Sequence, residues 1–302
     1  MSRHQIAVIG AGPAGLTAAL YARRAGKTVL VLEKENFGGQ ITFSPKIENF
    51  PTETAISGAE FAEKLMAQAE AAGAALEMDN ITGMAQQEDG FVLHGEYGDY
   101  EADAVIIAAG SRHRLLGLPR EAELTGHGIC YCAVCDGAFY RGKDVAVIGG
   151  GNTALQDAVF LSDICAQITV IQNLPELTGD PVLQDKVRKL PNVKIICNAE
   201  VTALRGTDSL TGLQIRKDGS TEELPVAGAF AAIGQQPEND VFAAFMQLDE
   251  AGYAIADERC TTKTNGVFVA GDCRTKAVRQ IVTAVSDGAQ AALAACRYLD
   301  KI

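Results

Sequence analysis

The chain has 302 residues, 47% of them hydrophobic, and a formal net charge of -12. That length suggests about two domains, each able to bury a core, and the acidic balance excludes nucleic acid as a bulk partner because phosphate binding needs a basic face. No long uncharged apolar run is present, so no membrane span is expected; the N-terminus runs directly into a strand without a signal-peptide layout, which makes a cytoplasmic location the default expectation.

Ile6-Ala7-Val8-Ile9 reads as a short buried strand. Gly10-Ala11-Gly12-Pro13-Ala14-Gly15 follows, then an Ala-rich helix to about Ala25, and a second strand from Thr28 to Leu32 ends at Glu33. Strand, G-x-G-x-x-G, helix, strand, acid is the order of a dinucleotide site. The first glycine makes the turn, the second lets backbone approach a pyrophosphate, and the third lets helix and strand pack closely. The helix N-terminus faces the phosphate charge, and a carboxylate at Glu33 is placed to hold ribose hydroxyls. Phe37-Gly38-Gly39-Gln40 and Ile47-Glu48-Asn49-Phe50-Pro51 are loops. They read either as turns or as places where a cofactor ring approaches backbone. Ser57 to Ala72 has helical spacing, with Phe61, Leu65, Met66 and Ala69 on one face as core. Phe91 to Leu93 and the stretch before Val105 read as a small antiparallel sheet. Ala104 to Gly110 is a buried strand ending in a glycine turn.

Ser111 to Arg120 is basic and turn-rich and reads as a linker. Beyond it stands Cys132-Ala133-Val134-Cys135, followed by Asp136. Two thiols at this spacing close a disulfide that takes two electrons from one partner and gives them to another, although a C-x-x-C alone also reads as half a zinc site. There are eight cysteines. Cys165, Cys197, Cys260, Cys273 and Cys296 are isolated in apolar surroundings and read as buried small hydrophobes. His127, Cys130, Cys132 and Cys135 have the ligand types of a zinc centre, but a metal would lock the redox pair. Cys130 is therefore read as a spare thiol, and no metal is expected. His4, His94 and His113 stand alone and suggest no catalytic role.

Lys143 to Ile148 is another buried strand. Gly149-Gly150-Gly151-Asn152-Thr153-Ala154 opens a helix to about Asp163, and Gln167 to Ile171 is the next strand, so the dinucleotide unit repeats. Val193 to Pro225 reads as a hairpin region, and Ala229 to Gly234 as a strand before Gln235-Gln236-Pro237-Glu238. Gly266 to Val269 is a strand stopping at Gly271-Asp272, a turn able to aim N–H groups and a carboxylate at a ribityl chain or pyrophosphate. A helix from about Gln280 to Tyr298 closes the sequence.

Taken together, the first glycine motif, Gly38-Gly39-Gln40, Glu48-Asn49-Phe50-Pro51, Cys132 to Asp136, the second glycine motif, Ala232-Ile233-Gly234, and Gly271-Asp272 with Arg279-Gln280 resemble the low-molecular-weight thioredoxin reductase family of flavoproteins. The resemblance covers nearly the whole chain. It implies an α/β fold of two Rossmann-like domains of the three-layer ββα type, the second inserted into the first. Residues 1–114 and 236–302 would bind FAD, and residues 115–235 would carry the C-x-x-C on a nucleotide-binding-like fold. It implies that FAD is held by Gly10, Gly12, Pro13, Ala14, Gly15, Glu33, Lys34, Gly38, Gly39, Gln40, Asn49, Ala109, Gly110, Gly271, Asp272, Arg279, Gln280 and Ile281. It implies that Cys135 lies against the flavin, that Cys132 attacks the disulfide of thioredoxin, and that Asp136 moves the thiol proton. A homodimer is implied as well, as is a rotation of one domain against the other about hinges at 112–117 and 234–240.

One signature departs from the family. In its NADPH-using members the strand after the second glycine motif ends in His-Arg-Arg, with a further arginine, and these guanidiniums pair with the 2′-phosphate. Here the positions read Gln172-Asn173-Leu174, and Thr178 takes the later place; Pro175 and Pro181 also alter the local backbone. No Asp or Glu ends the strand either, so the usual device for NADH is missing too. The chain is therefore most similar to ferredoxin-dependent flavin thioredoxin reductases, in which reduced ferredoxin supplies the electrons. Ferredoxins are usually acidic, so docking would need a basic patch, from Arg112, Arg114 and Arg120 or from Arg274, Lys276 and Arg279. Two competing readings stand beside this one: an NADPH- or NADH-dependent reductase, and a flavin-bound redox sensor without turnover. A ferredoxin–NADP reductase-like activity is disfavoured because that fold variant lacks the C-x-x-C.

Overall fold

The computed structural model describes residues 3–44, 47 and 49–301, so Glu48 lies outside the described residues. In chain order, β1 (Arg3–Ile9) turns through the first glycine motif into α1 (Pro13–Arg24) and returns as β2 (Val29–Glu33). The helix α2 (Gly58–Ala71) follows, capped by Ser57, whose hydroxyl accepts the Glu60 N–H at 3.1 Å. Next come β3 (Ala75–Met78), β4 (Ile81–Gln87), β5 (Gly90–Gly95) and β6 (Asp99–Ile107). β7 (Ser111–His113) lies in the expected linker, and α3 (Glu121–Leu124) follows it.

The next stretch forms β8 (Ile129–Cys130), α4 (Ala133–Asp136), β9 (Asp144–Ile148), α5 (Asn152–Ser162), β10 (Gln167–Ile171), α6 (Pro181–Arg188) and β11 (Val193–Ile196). It continues as β12 (Ala199–Arg205), β13 (Gly212–Lys217), β14 (Ser220–Pro225) and β15 (Gly228–Ala231). The strand β16 (Gln235–Pro237) pairs with β7, and β17 (Val267–Val269) and α7 (Ile281–Leu299) complete the chain.

Two compact units result, Met1–Arg112 with Gln236–Ile302, and His113–Gln235. In the first, β3, β2, β1 and β6 run parallel, with Val8 opposite both Val31 and Ile106. The inner strands are rich in Val, Ile and Leu and buried on both faces over Ile6–Ile9, Val29–Glu33 and Ala104–Ile107, as a covered parallel sheet requires, while the edge strand β3 is exposed. The small antiparallel sheet expected near Phe91 is not separate. β5 pairs antiparallel with the first half of β6 and carries β4 on its other edge, while the second half of β6, Val105 to Ile107, receives β17. One long strand therefore carries both patterns. Alanines of α1 and α7, among them Ala18, Ala22, Ala291 and Ala295, let the two helices pack closely in one core cluster.

In the second unit β11, β10, β9, β15 and β8 form a parallel sheet, and β12, β13 and β14 an antiparallel one. The expected hairpin region from Val193 to Pro225 is therefore divided: Val193–Ile196 belongs to the parallel sheet and only the rest forms hairpins. Among the described residues no helix is long and apolar enough to cross a membrane.

Candidate active site

Cys132 caps α4. Its backbone is extended, the Cys135 N–H donates to its Sγ at 3.2 Å, and the Asp136 N–H donates to its carbonyl at 3.0 Å. One helical turn sets the spacing, and Cys132 and Cys135 are joined in a disulfide with their Cα atoms 5.3 Å apart. Asp136 ends the same turn. Burial pushes its carboxyl up to about 6, against a hydrogen bond from Cys130. Cys130, at the end of β8, is buried, and its Sγ lies 3.3 Å from the Tyr140 hydroxyl. Burial also pushes the Cys130 thiol up to about 12, which leaves almost no thiolate near neutral pH. A dithiol turn beside a carboxyl that changes charge near neutral pH suits disulfide exchange coupled to proton transfer.

The remaining thiols behave as packing groups. Cys165, Cys260, Cys273 and Cys296 are buried and Cys197 is half-buried. Among the described residues no three His, Cys, Asp or Glu side chains come together as a metal cage.

In the first unit the glycine turn stands between β1 and α1. The Glu33 carboxylate, at the end of β2, accepts the Ala11 N–H at 2.7 Å and the Glu35 N–H at 2.9 Å. It therefore fastens the turn from beneath. A Cβ on Gly15 would collide with the Gly10 carbonyl, so helix and strand approach too closely for any side chain. Over Gly12, by contrast, the nearest atom to such a Cβ is the Gly38 carbonyl oxygen, at 3.9 Å, so the space is open. The Gly38 N–H donates to the Ala11 carbonyl at 2.8 Å, which brings the Gly38-Gly39-Gln40 turn to the same place. Asn49 Nδ2 donates to Gln280 Oε1 at 3.1 Å, and Ile281 opens α7. Lys34 pairs with Glu238 at 2.7 Å. Ala109 and Gly110 follow β6 within the same unit.

Asp272 follows β17. It is the residue that most plainly expects a ligand: its Oδ1 is buried without a hydrogen-bond partner, with Lys276 Nζ the nearest cation at 3.9 Å, and burial raises its carboxyl. A buried acceptor left unpaired is costly, so polar ligand hydroxyls are its natural complement. Around it Arg279 Nε donates to the Asp272 carbonyl at 3.4 Å while its guanidinium lies 4.1 Å from the centre of the Tyr253 ring. The open glycine cradle and the orphaned Asp272 oxygen fit a flavin dinucleotide.

A cluster with no local sequence signal holds this turn. Asp287 on α7 accepts Arg274 at 2.6 Å, Lys276 at 2.8 Å and the Gly271 N–H at 3.0 Å. Burial opposes ionisation there, but the two cations hold the Asp287 carboxyl below its ordinary value. This overturns one expectation. Arg274 and Lys276 do not belong to a surface docking patch, because their side chains are each only 7% exposed and are committed to Asp287. Of the other basic residues, Arg112 pairs with Glu35 and Glu238, Arg120 pairs with Glu123, and Arg114 is exposed.

Comparison with known proteins decides the family. A profile described as pyridine nucleotide-disulphide oxidoreductase matches residues 4–288. Thioredoxin reductase of Treponema pallidum is 37% identical over 99% of this chain and 98% of its own length. The chain belongs to the low-molecular-weight thioredoxin reductases of that family. It is an oxidoreductase and a flavoprotein. A further relative of this thioredoxin reductase-family chain, the 34.2 kDa protein in the rubredoxin operon of Clostridium pasteurianum, is 40% identical over 97% of this chain and 96% of its own length. The crystal structure of thioredoxin reductase from Streptococcus pyogenes superposes with a TM-score of 0.91 at 34% identity, covering 99% of each chain.

The second glycine turn of this thioredoxin reductase-family chain differs from its first. Gln172, at the corresponding strand end, is 4% exposed and folds inward. Its Nε2 donates to the Glu176 carbonyl at 3.3 Å, and its Oε1 accepts the Asn173 N–H at 3.1 Å. A Cβ on Gly150 would stand 2.6 Å from the Gln172 side-chain carbon. The Thr178 and Gly179 N–H groups both donate to the Gly150 carbonyl, at 2.8 and 3.0 Å. Beside Asn173 a pocket is lined by Asn198, Glu200, Arg216, Asp218 and Gly219. Its one cation, Arg216, is paired with Glu200.

Proposed function

We propose that this chain is an FAD-dependent thioredoxin-disulfide reductase whose electrons come from a one-electron protein donor, reduced ferredoxin, and not from NADPH. One observation carries the donor: the end of β10 offers no free cation to a 2′-phosphate. Gln172 is turned inward, Asn173 and Thr178 are uncharged, and Arg216 in the adjoining pocket is committed to Glu200. A 2′-phosphate carries close to two negative charges and would face Glu200 and Asp218 there, so like charge weakens its binding.

FAD, when bound, relays electrons between the donor and the disulfide. Gly12, Asp272 and the residues fastening their turns hold it. Cys135 is the sulfur on the flavin side and Cys132 the one that meets thioredoxin. In the reduced pair Cys132 gives its proton to the Asp136 carboxylate and attacks one sulfur of the thioredoxin disulfide. A new bond joins Cys132 Sγ to that sulfur, the thioredoxin S–S bond breaks, and the departing thiolate takes the proton back from Asp136. Cys135, deprotonated in turn, attacks Cys132 Sγ. The pair closes, and the second thioredoxin sulfur leaves and takes up that proton. One dithiol and one disulfide have then exchanged states, with no proton lost.

Anaerobic mixing of the oxidised protein with NADPH, NADH or reduced ferredoxin tests this. Rapid flavin bleaching by ferredoxin, followed by appearance of thioredoxin dithiol, is expected. Rapid bleaching by NADPH would refute the donor. Bleaching by ferredoxin without thioredoxin dithiol would leave a redox sensor. In Cys135→Ser flavin reduction should persist while thioredoxin reduction stops.

A further inference from the structure

Lys276 lies out of solvent between two carboxylates, and fastening the turn does not use all of it. Its side chain is 7% exposed. An ammonium carries three N–H donors. One goes to Asp287 Oδ2 at 2.8 Å, and one meets Thr283 Oγ1, in the first turn of α7, at 3.4 Å. Asp272 Oδ1 lies 3.9 Å from the same Nζ, too far for a hydrogen bond. That oxygen is the buried one without a partner, although the Asp272 side chain as a whole is 32% exposed. The turn does not depend on the lysine. Asp287 also accepts Arg274 Nε at 2.8 Å, Arg274 Nη2 at 2.6 Å and the Gly271 N–H at 3.0 Å. Burying a second cation against an acid already held by three donors is costly. The free oxygen of Asp272 gives that cation a second task.

We infer that Lys276 is a positioning residue for the cofactor acceptor: its ammonium supplies the positive charge beside Asp272 Oδ1 that keeps this oxygen a bare carboxylate oxygen for a flavin hydroxyl. The inference rests on the reading that Asp272 holds the flavin, and it is independent of the electron donor. Arg279 also favours the charged form of Asp272, but its Nε goes to the Asp272 backbone carbonyl at 3.4 Å and its guanidinium lies against the Tyr253 ring. Burial and the like charge of Asp287 both oppose ionisation of Asp272.

The direction of the effect follows. Without the ammonium, burial and Asp287 act against Arg279 alone, so Asp272 keeps its proton to higher pH. A protonated oxygen is a neutral acceptor, and hydrogen bonds to ionised acceptors are roughly twice as strong. The grip on flavin is therefore lost as pH falls and recovered as pH rises. A cation at this range moves a carboxyl by about 1 unit or more, which corresponds to about tenfold in affinity on the acid side.

The test uses the full-length flavoprotein carrying Lys276→Met, Lys276→Gln, Asp272→Asn, or Asp272→Asn together with Lys276→Met. The dissociation constant of FAD is measured from pH 5.5 to 8.5 by the fluorescence of released flavin. Lys276→Met is expected to weaken binding by up to about tenfold at the acid end and little at the alkaline end, its limb moved up by about 1 unit relative to the wild type. Lys276→Gln keeps an N–H donor without the charge and should show the same displaced limb; it carries the test should the methionine variant not fold. With Asp272→Asn in place, Lys276→Met should add no further pH dependence. A loss equal at every pH in Lys276→Met, or a wild-type limb in Lys276→Gln, overturns the role of the charge. If Asp272→Asn binds FAD as the wild type does, the reading of Asp272 as flavin acceptor fails. If Asp272→Asn weakens binding while both Lys276 variants match the wild type, only the role of Lys276 falls.

Discussion

In the first unit the strand after the glycine helix ends in Glu33, whose carboxylate accepts two backbone N–H groups and fastens the turn, leaving the face over Gly12 open. In the second the matching strand ends in Gln172, whose amide folds back against Gly150. Strand, turn and helix are alike in both. What differs is the residue at the strand end, and with it the charge presented to a ligand. A glycine turn supplies close backbone approach and a helix N-terminus, which is enough to admit a pyrophosphate but not to choose among dinucleotides. Choice falls to one or two side chains at the strand end, and here only the first unit keeps the acid. The remainder of the first site is furnished by residues far along the chain: Asp272 keeps a buried Oδ1 without a hydrogen-bond partner, and Arg274, Lys276 and Asp287 fix the turn that carries it.

The most damaging way to probe this contrast is Gly15→Ala. The added methyl meets the Gly10 carbonyl, and both atoms are backbone-bound, so nothing flexible yields. Overpacking of this kind costs roughly 1–3 kcal/mol and sometimes more, and it moves the turn itself. The protein is expected to purify without flavin, read from its visible absorbance. Full flavin occupancy would show that the first unit tolerates what the close approach forbids.

Asp272→Ala is the next largest. If the orphaned oxygen accepts a flavin hydroxyl, removing it should weaken flavin binding by about 10–100-fold, the worth of a hydrogen bond to a charged group. Dissociation measured by fluorescence recovery of released flavin gives the number. An unchanged constant would mean that Asp272 meets no ligand.

Replacing Gln172 by His, Asn173 by Arg and Leu174 by Arg tests the contrast from the other side. Cations restored at the strand end should tighten NADPH binding by about tenfold or more, with a steeper salt dependence than NADH shows. Titration calorimetry reads both. Equal binding of the two nucleotides in the triple variant would place the deficit of the second unit elsewhere than in charge.

The legibility of the chain follows the range of its interactions. The first turn, its helix and Glu33 are contiguous, so their pattern was readable in the sequence, as were α2 and the strands β9 and β10. The two-residue strand β8 was not, because Ile129 and Cys130 become a strand only by pairing with Ala229 and Phe230, far along the chain. Val193–Ile196 was read as part of a hairpin because a parallel partner, β10, leaves no turn signal beside it. In the site, the C-x-x-C and Gly271-Asp272 were visible as short motifs. Tyr140 beneath Cys130 and Asp287 between its two cations were not, since a partner set by tertiary contact has no local spacing. The same cause explains the error over Arg274 and Lys276: a run of cations looks like a solvated patch until the buried acid that neutralises it is known.

The smallest test is the reciprocal of the first. The second motif already carries alanine, Ala154, where the first carries Gly15, and Ala154 is fully buried. A Cβ on Gly149 would meet the Ala232 carbonyl oxygen at 2.4 Å, as one on Gly10 would meet that of Ala108, so the two turns differ only at the third position, where the second already houses a methyl that Gly15 has no space for. Ala154→Gly should therefore destabilise through helix propensity and the lost methyl, without moving the turn. Loss of helix propensity in α5 costs about 1 kcal/mol, with a further part of about 0.8 kcal/mol for the buried methyl. Urea unfolding should show an unfolding free energy lowered by that amount, while flavin content, thioredoxin reduction and response to NADPH stay as they were. If Ala154→Gly instead opened the second turn to NADPH, the close fit of helix to strand, rather than the missing cations, would be what keeps the nucleotide out.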